Sequence, residues 1–159
     1  LSYNNIEIVE VESFKSILEI GILYLNNNRL KFFDQIMISA KQGLIYHHIY
    51  LDNNQLAQYR HFATYYLHLS NNNLTENGLI TENFKFVEEL DISLNILSKI
   101  PSDMFLSGSS LIIISLKSNR LNFIDSDAFN NLKLLKKLDL SKNFLDDLKR
   151  YNPNFNKPL

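Results

Sequence analysis

The chain has 159 residues, a formal net charge of −1, 45% hydrophobic residues and neither Cys nor Trp, which is the composition of about one folded domain. The near-neutral charge excludes a nucleic-acid-binding or membrane-surface protein that relies on a basic face. Without Cys the chain has no disulfide, thiolate zinc site or Cys nucleophile. The longest aliphatic run, 111–114, is far below the roughly 18 apolar residues of a membrane-spanning helix, so we expect no membrane contact by this segment.

One pattern recurs along the chain, with apolar residues at positions 1, 4, 6 and 11 and Asn at position 9. Complete copies start at Ile20, Tyr46, Thr64, Val87, Leu111 and Leu135. A further copy begins at its sixth position with Leu1, so we expect the chain to be a fragment of a longer protein. Recurrence at a period of about 20 to 50 residues is typical of stacked repeats.

The apolar residues at positions 4 and 6 alternate as in a short strand with one buried face. Because a single copy cannot bury that face, stacked copies are expected to form a parallel sheet over a continuous core. The position-9 residues are Asn4, Asn28, Asn54, Asn72, Asn95, Asn119 and Asn143. A carboxamide both donates and accepts, so we expect each of these residues to satisfy backbone groups in its own coil and the next, as a structural ladder.

This repeat resembles the leucine-rich repeat family over residues 1–150. Successive ladder residues are 24, 26, 18, 23, 24 and 24 positions apart. Apolar residues at position 14 and Phe at position 19 occur in two copies, as Ile100, Ile124, Phe105 and Phe129, and the truncated first copy has Val9 and Phe14 there. Units of this kind are similar to the typical 24-residue subclass of extracellular proteins such as Toll-like receptors, Slit and chaoptin-like adhesion proteins. The resemblance implies an α/β solenoid, a leucine-rich repeat horseshoe with a parallel β-sheet on the concave face and loops or short helices on the convex face.

Two parts of the chain depart from the repeat. The copies at Tyr46 and Thr64 are only 18 residues apart, so either the frame between Gln42 and Ala63 is shifted or the convex side is locally pinched. Thr64 is also expected to be a poor core residue. The array of about seven repeats is predicted to cover residues 1–150, and residues 151–159 to form a tail or the start of a truncated repeat.

The resemblance also implies that positions 2, 3, 5, 7 and 8 line the concave face, which commonly binds partners in this family. The candidate partner-binding residues are Tyr24, His47, His48, Tyr50, Tyr65, Tyr66, His68, Glu88, Asp91 and Lys136. Tyr24, Tyr50 and His68 share one column on neighbouring strands. Two interpretations remain open, a contact surface rich in Tyr or aromatic side chains that only stabilise one another across strands.

Charged residues are predicted to follow one another across the same face. The copy from Val87 presents acidic side chains, the copy from Leu111 apolar ones and the copy from Leu135 basic ones: Glu88, Glu89 and Asp91, then Ile112 and Ile113, then Lys136, Lys137 and Lys142. This order either steers a partner into register or is an ordinary solvated surface.

The sequence lacks the signatures of a catalytic or metal centre. His47, His48, His61 and His68 fall in one stretch without the spacing of metal ligands, so we expect no metal and no cofactor. Neither a G-x-S-x-G motif nor a glycine-rich phosphate loop is present. The sequence therefore predicts a protein without enzymatic activity.

One motif bears on the cellular compartment. Asn73, Leu74 and Thr75 form an N-x-T glycosylation acceptor directly after a ladder residue. Together with the resemblance it favours an extracellular or cell-surface location. We expect a protein-binding module from the ectodomain of a receptor or adhesion protein, with a protein ligand, a co-receptor or a second copy as partner. The alternative is an intracellular leucine-rich repeat scaffold that docks on an enzyme.

Overall fold

The computed structural model describes residues 1–10, 13–14, 21–33, 46–60, 64–79 and 84–146. Within these ranges the strands in chain order are β1 (Ile22–Tyr24), β2 (Tyr46–Tyr50), β3 (Thr64–His68), β4 (Glu89–Asp91), β5 (Lys99–Ile100), β6 (Ile113–Ser115), β7 (Phe123–Ile124) and β8 (Lys137–Asp139). A short 3-10 helix spans Glu76–Gly78 between β3 and β4.

Six of these strands form one parallel sheet in the order β1-β2-β3-β4-β6-β8. From β1 onward each coil contributes one strand to this sheet, and each strand after β1 pairs with the equivalent strand of the coil before it. A second parallel sheet joins β5 to β7, where Ile100 pairs with Ile124. The predicted parallel-sheet solenoid is therefore confirmed.

The register between β2 and β3 shows whether the repeat frame shifts at the 18-residue spacing between the copies at Tyr46 and Thr64. Tyr46 pairs with Thr64 and Ile49 with Leu67, so the repeat frame is not shifted. The expectation that Thr64 would be a poor core residue was wrong. Thr64 is fully buried, and its hydroxyl lies 3.3 Å from the carbonyl oxygen of His47 and 3.2 Å from that of Tyr66. A buried hydroxyl with a carbonyl acceptor avoids most of the cost of leaving water.

The core runs unbroken through the stacked coils. Positions 4, 6 and 11 supply it, with buried side chains at Leu23, Leu25, Leu30, Ile49, Leu51, Leu56, Leu67, Leu69, Leu74, Leu90, Ile92, Leu97, Ile114, Leu116 and Leu121. Phe rings form a second row, in which the centroids of Phe84 and Phe105 are 6.0 Å apart and those of Phe105 and Phe129 are 5.8 Å apart. Each inner coil thus buries its apolar face against both neighbours, whereas Leu138 and Leu140 of the last described coil are only partly buried.

The position-9 carboxamides bond backbone groups of two coils. Asn54 Oδ1 accepts a hydrogen bond from Leu30 N at 3.0 Å, and its Nδ2 lies 3.0 Å from the carbonyl oxygens of Leu25 and Leu51. The same pattern recurs at Asn28, Asn72, Asn95, Asn119 and Asn143. The second coil is the preceding one, not the next as expected. Asn4 Nδ2 donates to the carbonyl oxygens of Leu1 and Ser2, within its own coil.

Position 8 of every described coil has a left-handed backbone, a feature that was not predicted from the sequence. The φ angles lie between 52° and 58° at Tyr3, Asn27, Asn53, Asn71, Leu94, Ser118 and Lys142. Asn adopts this conformation more readily than other non-glycine residues. The Asn pairs at positions 8 and 9 were the available signal, because only the second Asn of each pair serves in the ladder.

Candidate functional site

Five rings on β1, β2 and β3 form a continuous surface, which we name the aromatic tract: Tyr24, His48, Tyr50, Tyr66 and His68. Side chains alternate along each strand, so these rings lie on the face of the sheet opposite the Leu-rich core. Strand register aligns them in two columns, with Tyr24 beside Tyr50 and Tyr50 beside His68 in one column and His48 beside Tyr66 in the other.

The rings of the aromatic tract stack face to face. Centroid separations are 4.7 Å for Tyr24 and Tyr50, 4.4 Å for Tyr50 and His68, and 4.3 Å for His48 and Tyr66, with interplanar angles of 8° to 11°. His48 and Tyr50, two residues apart on β2, are 5.9 Å apart with planes at 4° and so join the columns. The rings therefore make the cross-strand contacts that the packing interpretation requires.

The aromatic tract remains open on its outer side. Tyr24 exposes 48% of its surface, and the other four rings are half-buried. His47 and Tyr65 flank the tract in an edge-to-face pair with centroids 5.5 Å apart. Within the described part of the chain, His48 Nδ1 is buried without a hydrogen-bond partner. The surface therefore combines ordered rings with polar groups that are not all satisfied.

The Tyr50 hydroxyl is surrounded by groups that oppose its ionisation. Burial raises the pKa of Tyr50 above 10.0, and the neighbouring Tyr24, Asp52 and Glu89 raise it further. The phenol is therefore neutral across the physiological range. In that form it can both donate and accept a hydrogen bond at the centre of the tract.

A polar group adjoins the tract where it meets β4. Asp52 Oδ1 accepts hydrogen bonds from Ser70 N at 3.0 Å and Ser70 Oγ at 2.9 Å. Asp91 Oδ1 accepts one from Ser93 N at 2.9 Å. One ligand atom each of Asp52, His68 and Asp91 lies within 4.8 Å of the others.

Sequence reasoning found only part of this group. His68 and Asp91 were candidate partner-binding residues, whereas Asp52 was not selected. The repeat positions could have indicated the group. Asp52 is at position 7 of its coil, His68 and Asp91 are at position 5 of the next two coils, and these positions converge once the strands are in register. Of the four histidines considered together, His68 enters the group and His61 lies outside the described residues.

Comparison with known proteins agrees with this geometry. Residues 87–145 match the family model described as leucine rich repeat. The chain folds as a leucine-rich repeat solenoid. It is also 30% identical to Podocan of Mus musculus over 142 residues, which cover 86% of the chain and 22% of Podocan. The chain thus spans about a fifth of the length of this curated relative. The 24-residue extracellular subclass stays a prediction.

On the open face of the leucine-rich repeat solenoid, the predicted order of acidic, apolar and basic side chains holds at repeat position 3 but not at position 5. At position 3, Glu89 pairs with Ile113 and Ile113 with Lys137, which gives acidic, apolar and basic side chains in turn. At position 5, Asp91 is followed by Ser115 and Asp139. The predicted basic end therefore also carries a carboxylate. Hydrogen bonds from the side chain and backbone of Ser141 lower the pKa of Asp139, burial opposes them, and Lys117 and Lys137 lower the pKa further.

The remaining candidates lie at the edges of the sheet face. Glu88 is half-buried on the residue before β4, and Lys136 is exposed on the residue before β8. Asn73, the glycosylation acceptor, is exposed, and its backbone N–H donates to Leu56 O at 2.9 Å. In the part of the chain that the structure describes, no helix is both long and apolar enough to cross a membrane.

Proposed function

We propose that this leucine-rich repeat segment is a protein-binding module and that the aromatic tract is its contact surface. The observation that carries the proposal is the stacking of five rings on the open face of the sheet, with Tyr24 half exposed. Tyr is among the residues that dominate binding energy at protein interfaces, because it combines a large apolar area with a hydroxyl group.

The stacking supports binding as well as stability. A side chain that is already held in place loses little conformational entropy when a partner covers it. The rings lie on adjacent strands of one sheet rather than on loops, so their relative positions are set by backbone hydrogen bonds. Glu88, Glu89 and Asp91 on the neighbouring coil add negative charge that orients a partner at the end of the tract.

We further propose that this segment is part of the ectodomain of a cell-surface receptor or adhesion protein. Support comes from the near-regular 24-residue spacing, the Phe residues at position 19 and the exposed N-x-T acceptor at Asn73. Expression through a secretory pathway provides the test, in which the wild-type chain gains a glycan mass and the N73Q variant does not.

The binding proposal is tested with two arrays, one of purified ectodomains and one of cytosolic proteins, each including the chain itself as a probe for self-association. We expect selective binding to ectodomain probes. Tyr50→Ala and Tyr66→Ala should each weaken that binding by about tenfold or more, which corresponds to roughly 1.4 kcal/mol.

The matched control is Leu106→Ala, which removes an exposed apolar side chain in the turn after β5. It should bind like the wild type. Because both rings stack on neighbours, their loss lowers the melting temperature, so binding is measured at a temperature at which each variant is fully folded. Loss of binding by the folded tyrosine variants supports the proposal. Binding that survives both substitutions, or that is lost only where the variants unfold, contradicts it. Selective binding to cytosolic probes would favour an intracellular scaffold.

A further inference from the structure

We propose that Asp52, His68 and Asp91 form a binding site for a divalent transition-metal ion, with Zn²⁺ as the best-fitting ion. Their ligand atoms converge to within 4.8 Å of one another on the sheet face, and each side chain comes from a different coil. The site shares His68 with the aromatic tract, but metal binding can be tested without a protein partner.

Each ligand is held in position by a neighbour that does not compete for the metal. Ser70 N and Oγ fix Oδ1 of Asp52, Ser93 N fixes Oδ1 of Asp91, and the Tyr50 ring stacks on His68 with centroids 4.4 Å apart. Within the described residues, no hydrogen bond occupies the second oxygen of either carboxylate. Supporting bonds to the outer side of metal ligands are the usual way in which proteins orient them.

The electrostatic environment favours a cation. Two carboxylates lie close together, and in the described part of the chain no Lys or Arg forms an ion pair with either of them. Glu89 adds a further negative charge near Tyr50. An ion bound between these groups would relieve their mutual repulsion.

The set of donor atoms indicates which ion fits. Asp oxygens and His nitrogens both bind Zn²⁺, and three protein ligands leave a fourth tetrahedral position for water. Imidazole favours Zn²⁺ and its neighbours in the transition series over Ca²⁺ and Mg²⁺. Ligand atoms about 2.1 Å from zinc in a tetrahedral site are roughly 3.4 Å apart. Side-chain rotations that move the ligand atoms by about 1 Å would therefore bring them to these distances from the ion.

Isothermal titration of the untagged, EDTA-treated chain with ZnCl₂ tests the site. We expect one saturable site per chain and no saturable binding of Ca²⁺ over the same range. His68→Phe keeps a ring to stack on Tyr50 but removes the nitrogen donor, and Asp91→Asn keeps the oxygen that bonds Ser93 N. Each should weaken zinc binding by about tenfold or more.

Asp139→Asn is the matched control. Asp139 occupies the same position of its repeat as Asp91, and its Oδ1 accepts the same hydrogen bond, from Ser141 N at 2.9 Å. No metal-binding group that includes Asp139 occurs among the described residues. This variant should bind zinc like the wild type. Absence of a saturable zinc site, or equal affinity in the His68→Phe, Asp91→Asn and wild-type chains, would overturn the proposal.

A second measurement needs no substitution. Co²⁺ added to the wild-type chain should shift and broaden the imidazole proton resonances of His68 far more than those of His47, near the start of β2. Equal shifts at both histidines, or none at His68, would place the ion elsewhere and contradict the proposed site.

Discussion

Gly78 packs so closely against the carbonyl oxygen of Ala57 that no space remains for a Cβ atom. The contact joins the shortest coil, in which only 18 residues separate Asn54 from Asn72, to the coil that follows it. Beside it, Tyr59 N donates to Gly78 O at 2.8 Å, and Tyr59 and Leu79 form a parallel bridge. The short coil is therefore tolerated because the two backbones approach directly, with no side chain between them.

Replacement of Gly78 should destabilise the array. In Gly78→Ala the new methyl group overlaps the Ala57 carbonyl, so the backbones must separate, at a cost of about 1–3 kcal/mol in the free energy of unfolding. Urea denaturation measures this change. Gly21→Ala is the control, because a Cβ at Gly21 meets nothing within 4 Å, and we expect a change within about 0.5 kcal/mol. Equal effects at the two glycines would show that the close approach is unimportant.

Loss of a ladder carboxamide should also lower stability. Asn95 Oδ1 accepts from Leu74 N, and its Nδ2 donates to the carbonyl oxygens of Leu69 and Ile92, at 3.0 to 3.1 Å. Asn95→Leu leaves these buried groups without partners, at about 1–3 kcal/mol for each unsatisfied group, so we expect a total loss above roughly 2 kcal/mol. Thermal and urea unfolding of this variant beside Asn73→Leu, at an exposed Asn, gives the comparison; similar losses in both would refute the ladder role.

Replacement of Leu94 should raise stability. Leu94 has φ 55° and exposes 53% of its surface, so it bears left-handed strain and contributes little packing. Leu94→Asn places at this position the residue found at 27, 53 and 71, and we expect a gain of about 0.5–1 kcal/mol. Leu106→Asn, at a similarly exposed leucine outside the left-handed positions, should give no gain. Differential scanning calorimetry of both variants decides the question, and a lower melting temperature for Leu94→Asn would contradict it.

Acidification should destabilise the chain through Glu76. Burial alone would raise the pKa of this carboxyl, but hydrogen bonds from its own backbone and from Ser98, with Lys99 nearby, lower it below 4.5. Ser98 N and Oγ lie 3.2 Å and 3.0 Å from the two carboxylate oxygens. A depressed folded-state pKa contributes stability that is present above the unfolded value and is lost as the pH falls through the folded one.

The measurement for Glu76 is the urea midpoint between pH 7 and pH 3. Glu76→Gln should lose less stability than the wild type over the acidic part of this range. Ser98→Ala should also reduce the loss, because it removes one of the bonds that lower the pKa. An identical acid dependence in all three proteins would contradict the assignment.

The stacked rings of the tract should be energetically coupled. For Tyr24 and Tyr50, a double-mutant cycle to Ala should give a coupling of about 0.5–1.5 kcal/mol in the free energy of unfolding. His47 and Tyr50 have no stacking contact, and the same cycle there should give a value near zero. A negligible Tyr24–Tyr50 coupling would contradict the interpretation that these rings stabilise one another across strands.

Much of the fold followed from the amino-acid pattern. Leu25, Leu51 and Leu69 recur at position 6, and the period of the repeat, with alternation inside each copy, fixes which side chains face the core. Even the 18-residue spacing did not shift the frame, because a shift by one residue would have turned Ile49 and Leu67 toward solvent. Thr64 was misjudged because its acceptor, His47 O, lies in the preceding coil, which the local pattern does not describe.

The candidate site, too, could be predicted only in part from the sequence. Tyr24, Tyr50 and His68 could be placed in one column from the sequence, because equivalent positions of a repeat lie side by side once coils stack. The convergence of Asp52 with His68 and Asp91, and the contact of Gly78 with Ala57, required the tertiary structure. Periodicity determines which face a side chain occupies. The distances between different positions on neighbouring coils depend on how the coils pack, and packing is a property of the whole stack.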